Sequence, residues 1–519
     1  MNIFNKKILY YGFYGAFLLV FGWVSGQLFF EKQMDEALSS IREFLTADVQ
    51  QISELDELTV IYPYGASSLN PFDTSPFVRQ WTANIYESLV TYDRDMKIKP
   101  ALAVSWGLVD ENVWEFRLRP GVRFHDGSLL DMQDILKSFE IAMNGKDSQL
   151  VGILENIENI EIVNDEIFRI KTKKPDPLLL PKLSLMYVVP SEIQDNYAGA
   201  DFIPVGTGSY KFSDFESGSY FVVQRFSEYF GQNPKFDYVK MVVISDKSKR
   251  VNAFLNGEAD FLSFVSFDAA DAVMDRGFTV TSIPSLEVQF LAFNLESEVF
   301  NDVLSRRAFS LAVDQKALVS SIGKYAKPVS QFVSSGVFGF NPEINPHEYN
   351  LKEAQEVAEK SGLKGKTVQF HLTKGLNVLG EHVRKQLKEI GVYVVVSYLE
   401  TAEFLKSFEK GSADLYFAGY KSDLGDSADF LNTFIKTDGQ YNVWNYKNSE
   451  VDELVNTSLT EMDPKKRLKA LHEAMKIAIE EDVIGIPLFE YDTLYSFVDK
   501  ISMQPRIDGL IYFDELNVR

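Results

Sequence analysis

TVQFHLTKGLNVLGEHVRKQLKEIGVYVVVSYLETAEFLKSFEKGSADLYFAGYKSDLGDSADF, residues 367–430, decides the fold, because its hydrophobic period switches repeatedly between two and about 3.6. Thr367–Thr373 alternates as a strand does; Leu376, Leu379, Val383, Leu387 and Ile390 then recur at helical spacing until Gly391 stops the run. Residues 392–399 form a second, β-branched strand, 402–410 a short helix and 414–419 a third strand. The succession is a βαβαβ unit with a parallel sheet. Ligands in such sheets sit beyond the carboxyl ends of the strands, where residues 420–429 lie.

That loop holds Asp423, Asp426 and Asp429. Asp426 and Asp429, spaced by three before Phe430, Leu431, Phe434 and Ile435, have the pattern of an acidic cap on a helix, where negative charge suits the dipole. Asp423 has no such role. It is either a solvated loop aspartate or the receiver of a cationic ligand group, most simply a free α-ammonium; the loop lacks the D-x-[DN]-x-[DN]-G spacing of a calcium site.

The 519 residues, 45% hydrophobic and 24% charged, suffice for two or three domains or lobes. A net charge of -22 disfavours nucleic acid and anionic partners and suits cationic or zwitterionic ones. The absence of cysteine excludes disulfides, thiolate metal sites, a cysteine nucleophile and a lipoprotein-type lipid anchor. His125, His347, His371, His382 and His472 form no H-E-x-x-H or other close pair, so no metal and no cofactor is expected. The G-x-S-x-G pattern is absent as well, and the chain is not read as an enzyme, an exported hydrolase included.

Near the N-terminus, Lys6 and Lys7 precede an uncharged run, residues 8–30, long and apolar enough to cross a bilayer, and Glu31 follows it. The flanking charges orient the rest of the chain outward. Residues 1–31 thus read as a retained membrane anchor or a signal peptide, with Val24-Ser25-Gly26 offering small-residue cleavage spacing; the length of the run favours the anchor. Residues 32–57 carry a weak heptad series, Leu38, Leu45 and Ile52 with Met34, Ile41 and Leu55, interrupted by Asp48. They read as a linker or helical stalk of about 40 Å if fully helical.

Residues 58–62 form a strand, 65–71 (GASSLNP) a loop and 77–91 a helix-like run. Trp114 to Leu118 is an alternating strand, followed by RPGVRFHDGSLLDMQDILKSF, residues 119–139, with turns at Pro120-Gly121 and Asp126-Gly127 and Asp131 capping a helix whose apolar face is Met132, Ile135, Phe139 and Ala142. Gly206-Thr207-Gly208 is a turn before a strand, since no helix with Lys-Ser/Thr follows it. Arg306 and Arg307 stand on a helix with Ala308 and Leu311, where salt-bridged or exposed side chains are expected.

With these motifs in place the chain resembles the extracytoplasmic solute-binding proteins, family 5, which serve ABC importers of oligopeptides, dipeptides and nickel. The segment 119–139 is similar to that family's R-x-G-x-x-F-x-D-G turn leading into a D-x-x-x-S helix. The likeness continues through Pro204 to Tyr210, Asn233 to Asp237, Phe254 to Asp260, Phe293-Asn294, Arg306 to Asp314 and Ile486-Pro487-Leu488. It implies an α/β, two-lobed periplasmic-binding-protein-like fold of the large peptide-binding type (class II), with mixed sheets, preceded here by the N-terminal transmembrane helix. Residues 58–285 plus 488–519 would form the first lobe and 286–487 the second, with the ligand engulfed between them.

In the family's peptide-binding members the loop after the third strand reads G-W-x-x-D, and its aspartate pairs with the peptide's α-ammonium. Here it reads Gly419-Tyr420-Lys421-Ser422-Asp423, which puts Asp423 in register. Tyr420 replaces the tryptophan and is either a pocket wall or a core aromatic capping the sheet. The backbone of Tyr420 and Lys421, with Ser68 and Leu69 from the other lobe, would pair with an extended peptide as an added strand. Lys421 otherwise puts a cation beside Asp423, and Arg306, Arg307, Lys324 and Lys327 are the candidates for a ligand carboxylate. The resemblance therefore implies a single-pass, membrane-tethered, largely extracytoplasmic carrier of peptides that delivers to ABC permease subunits; a surface sensor on the same scaffold, or a binder of a non-peptide solute, is the alternative.

Overall fold

Strand Thr367–Thr373, helix Asn377–Lys388, strand Tyr393–Leu399, helix Thr401–Glu409 and strand Leu415–Lys421 follow one another as the hydrophobic periods dictate. Thr367–Thr373 pairs in parallel with both other strands and lies between them. These coordinates belong to a computed structural model that describes residues 57–519 apart from Asp195, Ala200, Pro346, His347 and Val443. The expected anchor, 1–31, and all of the 32–57 segment except Glu57 lie outside the described residues; Glu57 opens the first strand, Glu57–Tyr62. Among the described residues no helix is long and apolar enough to cross a membrane.

Leu415–Lys421 is buried on both faces, and its alternation sorts its side chains: Leu415 and Phe417 enter one core with the helix Asn377–Lys388, while Tyr416, Ala418 and Tyr420 enter another with Phe430 and Trp444. Its other edge pairs antiparallel with the long strand Thr279–Phe293, which pairs in turn with Gly485–Phe497. Gly485–Phe497 also pairs with Phe261–Leu262, and that with Glu57–Tyr62, so among the described residues one mixed sheet of eleven strands runs from the βαβαβ unit into the rest of the chain.

A large core gathers residues from Leu58 to Phe261 and again from Tyr495 to Leu516, so the chain leaves this lobe along Thr279–Phe293 and returns along Gly485–Phe497. The pairing of these two strands shifts between Pro284 and Val288, three residues standing against Tyr491 alone. The chain is thus two-lobed, with mixed sheets and two connecting strands. Beside the first core, Ala103–Asp110, Val113–Leu118, Ile167–Thr172 and Ile157–Ile162 form a four-stranded antiparallel sheet.

The helix-like run 77–91 is shorter than expected: the helix spans Pro76–Thr82, and Val90–Tyr92 is a strand. Asn84 explains the break, since its side chain donates to the Ile511 carbonyl (2.9 Å) and accepts from the Phe513 amide (2.8 Å), tying this segment to the C-terminal tail. Arg306 also differs from expectation. It is buried and donates to the carbonyls of Phe300, Asp482 and Val483, and so fixes Val483, a β-branched residue at φ 47°. Asp131 caps Met132–Asn144 and exchanges bonds with Asp134 as anticipated.

Gly206 and Gly208 are required by close approach: a Cβ at Gly206 would stand 2.1 Å from the Ile85 carbonyl oxygen, and one at Gly208 2.5 Å from that of Asn84. His125 locks this turn as a neutral imidazole, accepting the Gly206 amide at Nδ1 (3.3 Å) while Nε2 donates to the Gly208 carbonyl (3.0 Å). Burial lowers its pKa to about 4 from the usual 6.5. Below pH 6.5 the unfolded chain takes up a proton that the folded one refuses. Stability is therefore whole above 6.5 and lost as pH falls toward 4, by on the order of 3 kcal/mol. Denaturant midpoints of the wild type and His125→Asn between pH 7 and 4 test this: the variant's midpoint is expected to fall less steeply with acid.

Candidate functional site

The carboxyl ends of the βαβαβ strands open onto a cleft between the lobes, where three cavities share walls. The first, about 50 Å³, is lined by Asp423, Ser422 and Lys421 of the second lobe and by Arg79, Tyr92, Arg506 and Tyr512 of the first. A second, about 90 Å³, continues past Arg79 and Tyr512 to Glu87, Tyr229 and Asp514. A third, about 400 Å³, continues past Lys421, Pro76 and Leu510 to Tyr64, Phe77, Phe264 and Tyr491.

Asp423 follows the strand Leu415–Lys421 by two residues, and among the described residues its carboxylate makes no direct hydrogen bond or ion pair. Its side chain is exposed in the cleft, and residues of both lobes line the small cavity beside it. Desolvation by the neighbouring protein raises its pKa above the usual carboxylate value, while Lys421 and Arg79 draw it the other way. The remaining loop acids are committed. Asp426 caps the helical turn Ser427–Phe430 by accepting the Ala428 amide and is bound on both oxygens by Arg467 (2.6 and 2.8 Å). Asp429 accepts the Tyr420 hydroxyl at 2.7 Å.

Of the other residues expected at the site, Lys421 borders the first and third cavities, and its Nζ donates to the Asp508 carbonyl across the cleft (2.9 Å). Tyr420 turns into the second lobe, its ring 4.9 Å from Phe430 and 5.5 Å from Phe434, so the core reading of that tyrosine applies. Gly419 stands beside Gln289 and Glu287, where a Cβ would come within 2.6 Å of the Gln289 amide nitrogen. Ser68 is half-buried; Leu69 is buried in the first core with its carbonyl accepting the Tyr86 hydroxyl (3.3 Å), and neither borders these three cavities.

The carboxylate-binding candidates lie elsewhere. Arg306 is internal, Arg307 donates to the Glu480 carbonyl, Lys324 pairs with Asp271 and Lys327 with Asp492. Sequence reasoning missed Arg79 instead. It donates to the carbonyls of Leu185 (3.0 Å) and Ser184 (3.3 Å), lies over the Tyr187 ring at 4.9 Å, and borders two cavities without a carboxylate partner among the described residues. Also missed were Tyr92, whose hydroxyl donates to the Leu424 carbonyl (2.5 Å), and the C-terminal Arg506, which pairs with Asp508 and Glu515.

In the second cavity Glu87 accepts the hydroxyls of Thr207 (2.9 Å) and Tyr229 (3.1 Å), and burial raises its carboxyl to about 8, so it is largely protonated near neutrality. Burial likewise lifts Asp514 to about 6, with Lys99 and Arg506 drawing it down. Among the described residues, no group of three or more His, Asp or Glu side chains is placed to hold a metal ion. The arrangement offers one unpartnered acid at the smallest of the three cavities, with Lys421 and Arg79 near it and apolar space in the adjoining third cavity.

Comparison with known proteins agrees with this architecture. Residues 97–442 match the model of the middle region of the bacterial extracellular solute-binding proteins, family 5. The glutathione-binding protein GsiB of Salmonella paratyphi A is 23% identical over 462 residues, covering 84% of this chain and 90% of its own. The periplasmic binding protein DppA of Helicobacter pylori, solved with the peptide STSA, superposes with a TM-score of 0.75 at 24% identity over 89% of this chain and 98% of its own. NikA of Brucella suis, solved with Fe(III)-EDTA, gives 0.81 at 21% identity over 89% and 100%. With two lobes, two connecting strands, a cleft between them and a family match spanning most of its length, this chain belongs to the bacterial extracellular solute-binding proteins, family 5.

Proposed function

We propose that this protein captures peptides with a free α-amino group between its lobes and delivers them to an ABC importer, held at the outer face of the cell membrane by residues 1–31. The observation that carries the reading is Asp423, a carboxylate open to the cleft with no hydrogen bond or ion pair from its own protein among the described residues. Closure of the lobes would take this carboxylate out of water, and an ammonium group brought to it then supplies the stabilisation that hydration gave. The lobes, taken as residues 58–285 plus 488–519 and 286–487, close on the ligand, and the backbone of Gly419, Tyr420 and Lys421 lies along its main chain; Ser68 and Leu69, outside the three cavities here, would reach it only on closure. No catalytic step or cofactor enters this role.

The names of relatives support a peptide-like ligand: GsiB is a glutathione-binding protein, and DppA was solved with a tetrapeptide. Calorimetry of the full chain at pH 7 with trialanine and with N-acetyl-trialanine tests the proposal. Trialanine is expected to bind, and acetylation to weaken it by roughly two decades or more. Equal affinity for the two peptides would overturn the role given to Asp423.

A further inference from the structure

The third cavity is several times larger than the one at Asp423 and differs in chemistry. Its walls are the rings of Tyr64, Phe77, Phe264, Phe267 and Tyr491, backed by Leu510. At about 400 Å³ it falls in the size range of ligand pockets, roughly 300 to 1,000 Å³. Phe77 is 52% exposed, a large apolar ring left open to water, and meets Tyr64 edge-on at 4.7 Å. Phe264 sits at φ 53°, a backbone state that a bulky residue keeps only under constraint, with its ring 5.7 Å from Tyr64.

The charges bordering this space are already answered by the protein. Glu287 accepts the Tyr491 hydroxyl (2.8 Å) and the Gln289 amide (2.7 Å), Asp492 pairs with Lys327 (3.4 Å), and Asp508 pairs with Arg506 (2.7 Å). Lys421 is turned to the Asp508 carbonyl. The cavity therefore favours apolar surface over charge.

It also lies close to the proposed ammonium site. Lys421 borders both cavities, stands opposite Glu287 in the strand register, and precedes Asp423 by two residues. The two cavities share Pro76, Lys421, Asp508 and Leu510 as walls, so an extended chain anchored by its amine at Asp423, advancing about 3.3 to 3.6 Å per residue, is led from one into the other.

Resting on the reading of Asp423 given above, we infer that the preferred ligand is a peptide with a bulky apolar side chain, above all an aromatic one, near its free amino end, and that this side chain fills the space between Tyr64, Phe77, Phe264, Phe267 and Tyr491. The test is calorimetry of the full chain against trialanine, the three variants of it carrying one phenylalanine, the three carrying one aspartate, and the N-acetylated form of each. At least one phenylalanine peptide is expected to bind roughly tenfold to hundredfold more tightly than trialanine, and no aspartate peptide to gain. Phe77→Ala, which removes an exposed ring, is expected to narrow the phenylalanine-to-alanine ratio. If acetylation weakens binding but all free peptides bind alike, the apolar inference fails and Asp423 keeps its role. If acetylation changes nothing, or if no peptide binds, both fail together.

Discussion

Asp423→Ala is expected to weaken binding of an amine-bearing peptide by roughly two to four decades while leaving thermal unfolding of the free protein where it is. The size follows from removing one partner of an enclosed charge pair, about 3 to 5 kcal/mol. The silence in stability follows from the geometry. Among the described residues no protein group bonds directly to this carboxylate, and desolvation raises its pKa, so its charge does not help the fold. The pH profile adds a second signature. Binding uses the ionised acid and is lost as pH falls through its raised pKa; at the other end the α-ammonium loses its proton near about 8. In the variant the acid limb of that profile is expected to vanish. Calorimetry from pH 4 to 9 reads both limbs, and an unchanged affinity at pH 7 would remove Asp423 from the site.

Asp426→Ala is expected to destabilise the protein by about 3 to 5 kcal/mol, a far larger effect on folding than its neighbour three residues away. Both oxygens of Asp426 are bound by Arg467, and the two side chains are only 7% and 5% exposed. Deleting the acid leaves a buried guanidinium with the Ser458 carbonyl and the face of Phe338 as partners. It also removes the cap on the Ala428 amide. Replacing the whole pair, Asp426→Ala with Arg467→Met, is expected to recover part of the loss, because the stranded charge goes with it. Denaturant midpoints of the single and double variants measure this, and a double variant no better than the single one would contradict the charge-stranding account.

The contrast between these aspartates shows what the sequence makes legible. The cap at Asp426 and the βαβαβ unit rest on local spacing, and local spacing survives folding unchanged. The side chain of Tyr420 was legible too, had the alternation been carried two residues further: it shares a strand face with Tyr416 and Ala418, both in the core. Arg79 left no such signal. Its place in the cleft depends on the carbonyls of Leu185 and Ser184, more than a hundred residues away. The aromatic walls are scattered from Tyr64 to Tyr491, over two loops, the first turns of two helices and the middle of a strand, which no periodicity joins. Helix 77–91 was overextended because Asn84, which breaks it, finds its partners at Ile511 and Phe513, in the last turn of the chain.

Where the two connecting strands lose step, between Pro284 and Val288, the ladder that would stiffen them is interrupted. Ser285 and Glu287, in that lapse, together with Tyr491 opposite, are also part of the wall of the aromatic cavity. Pivot and pocket are thus built from the same few residues. If the proposed closure turns on this interruption, a side chain lodged there would press on the axle of the jaw itself, and a solute too small to reach that far would leave the jaw free to swing.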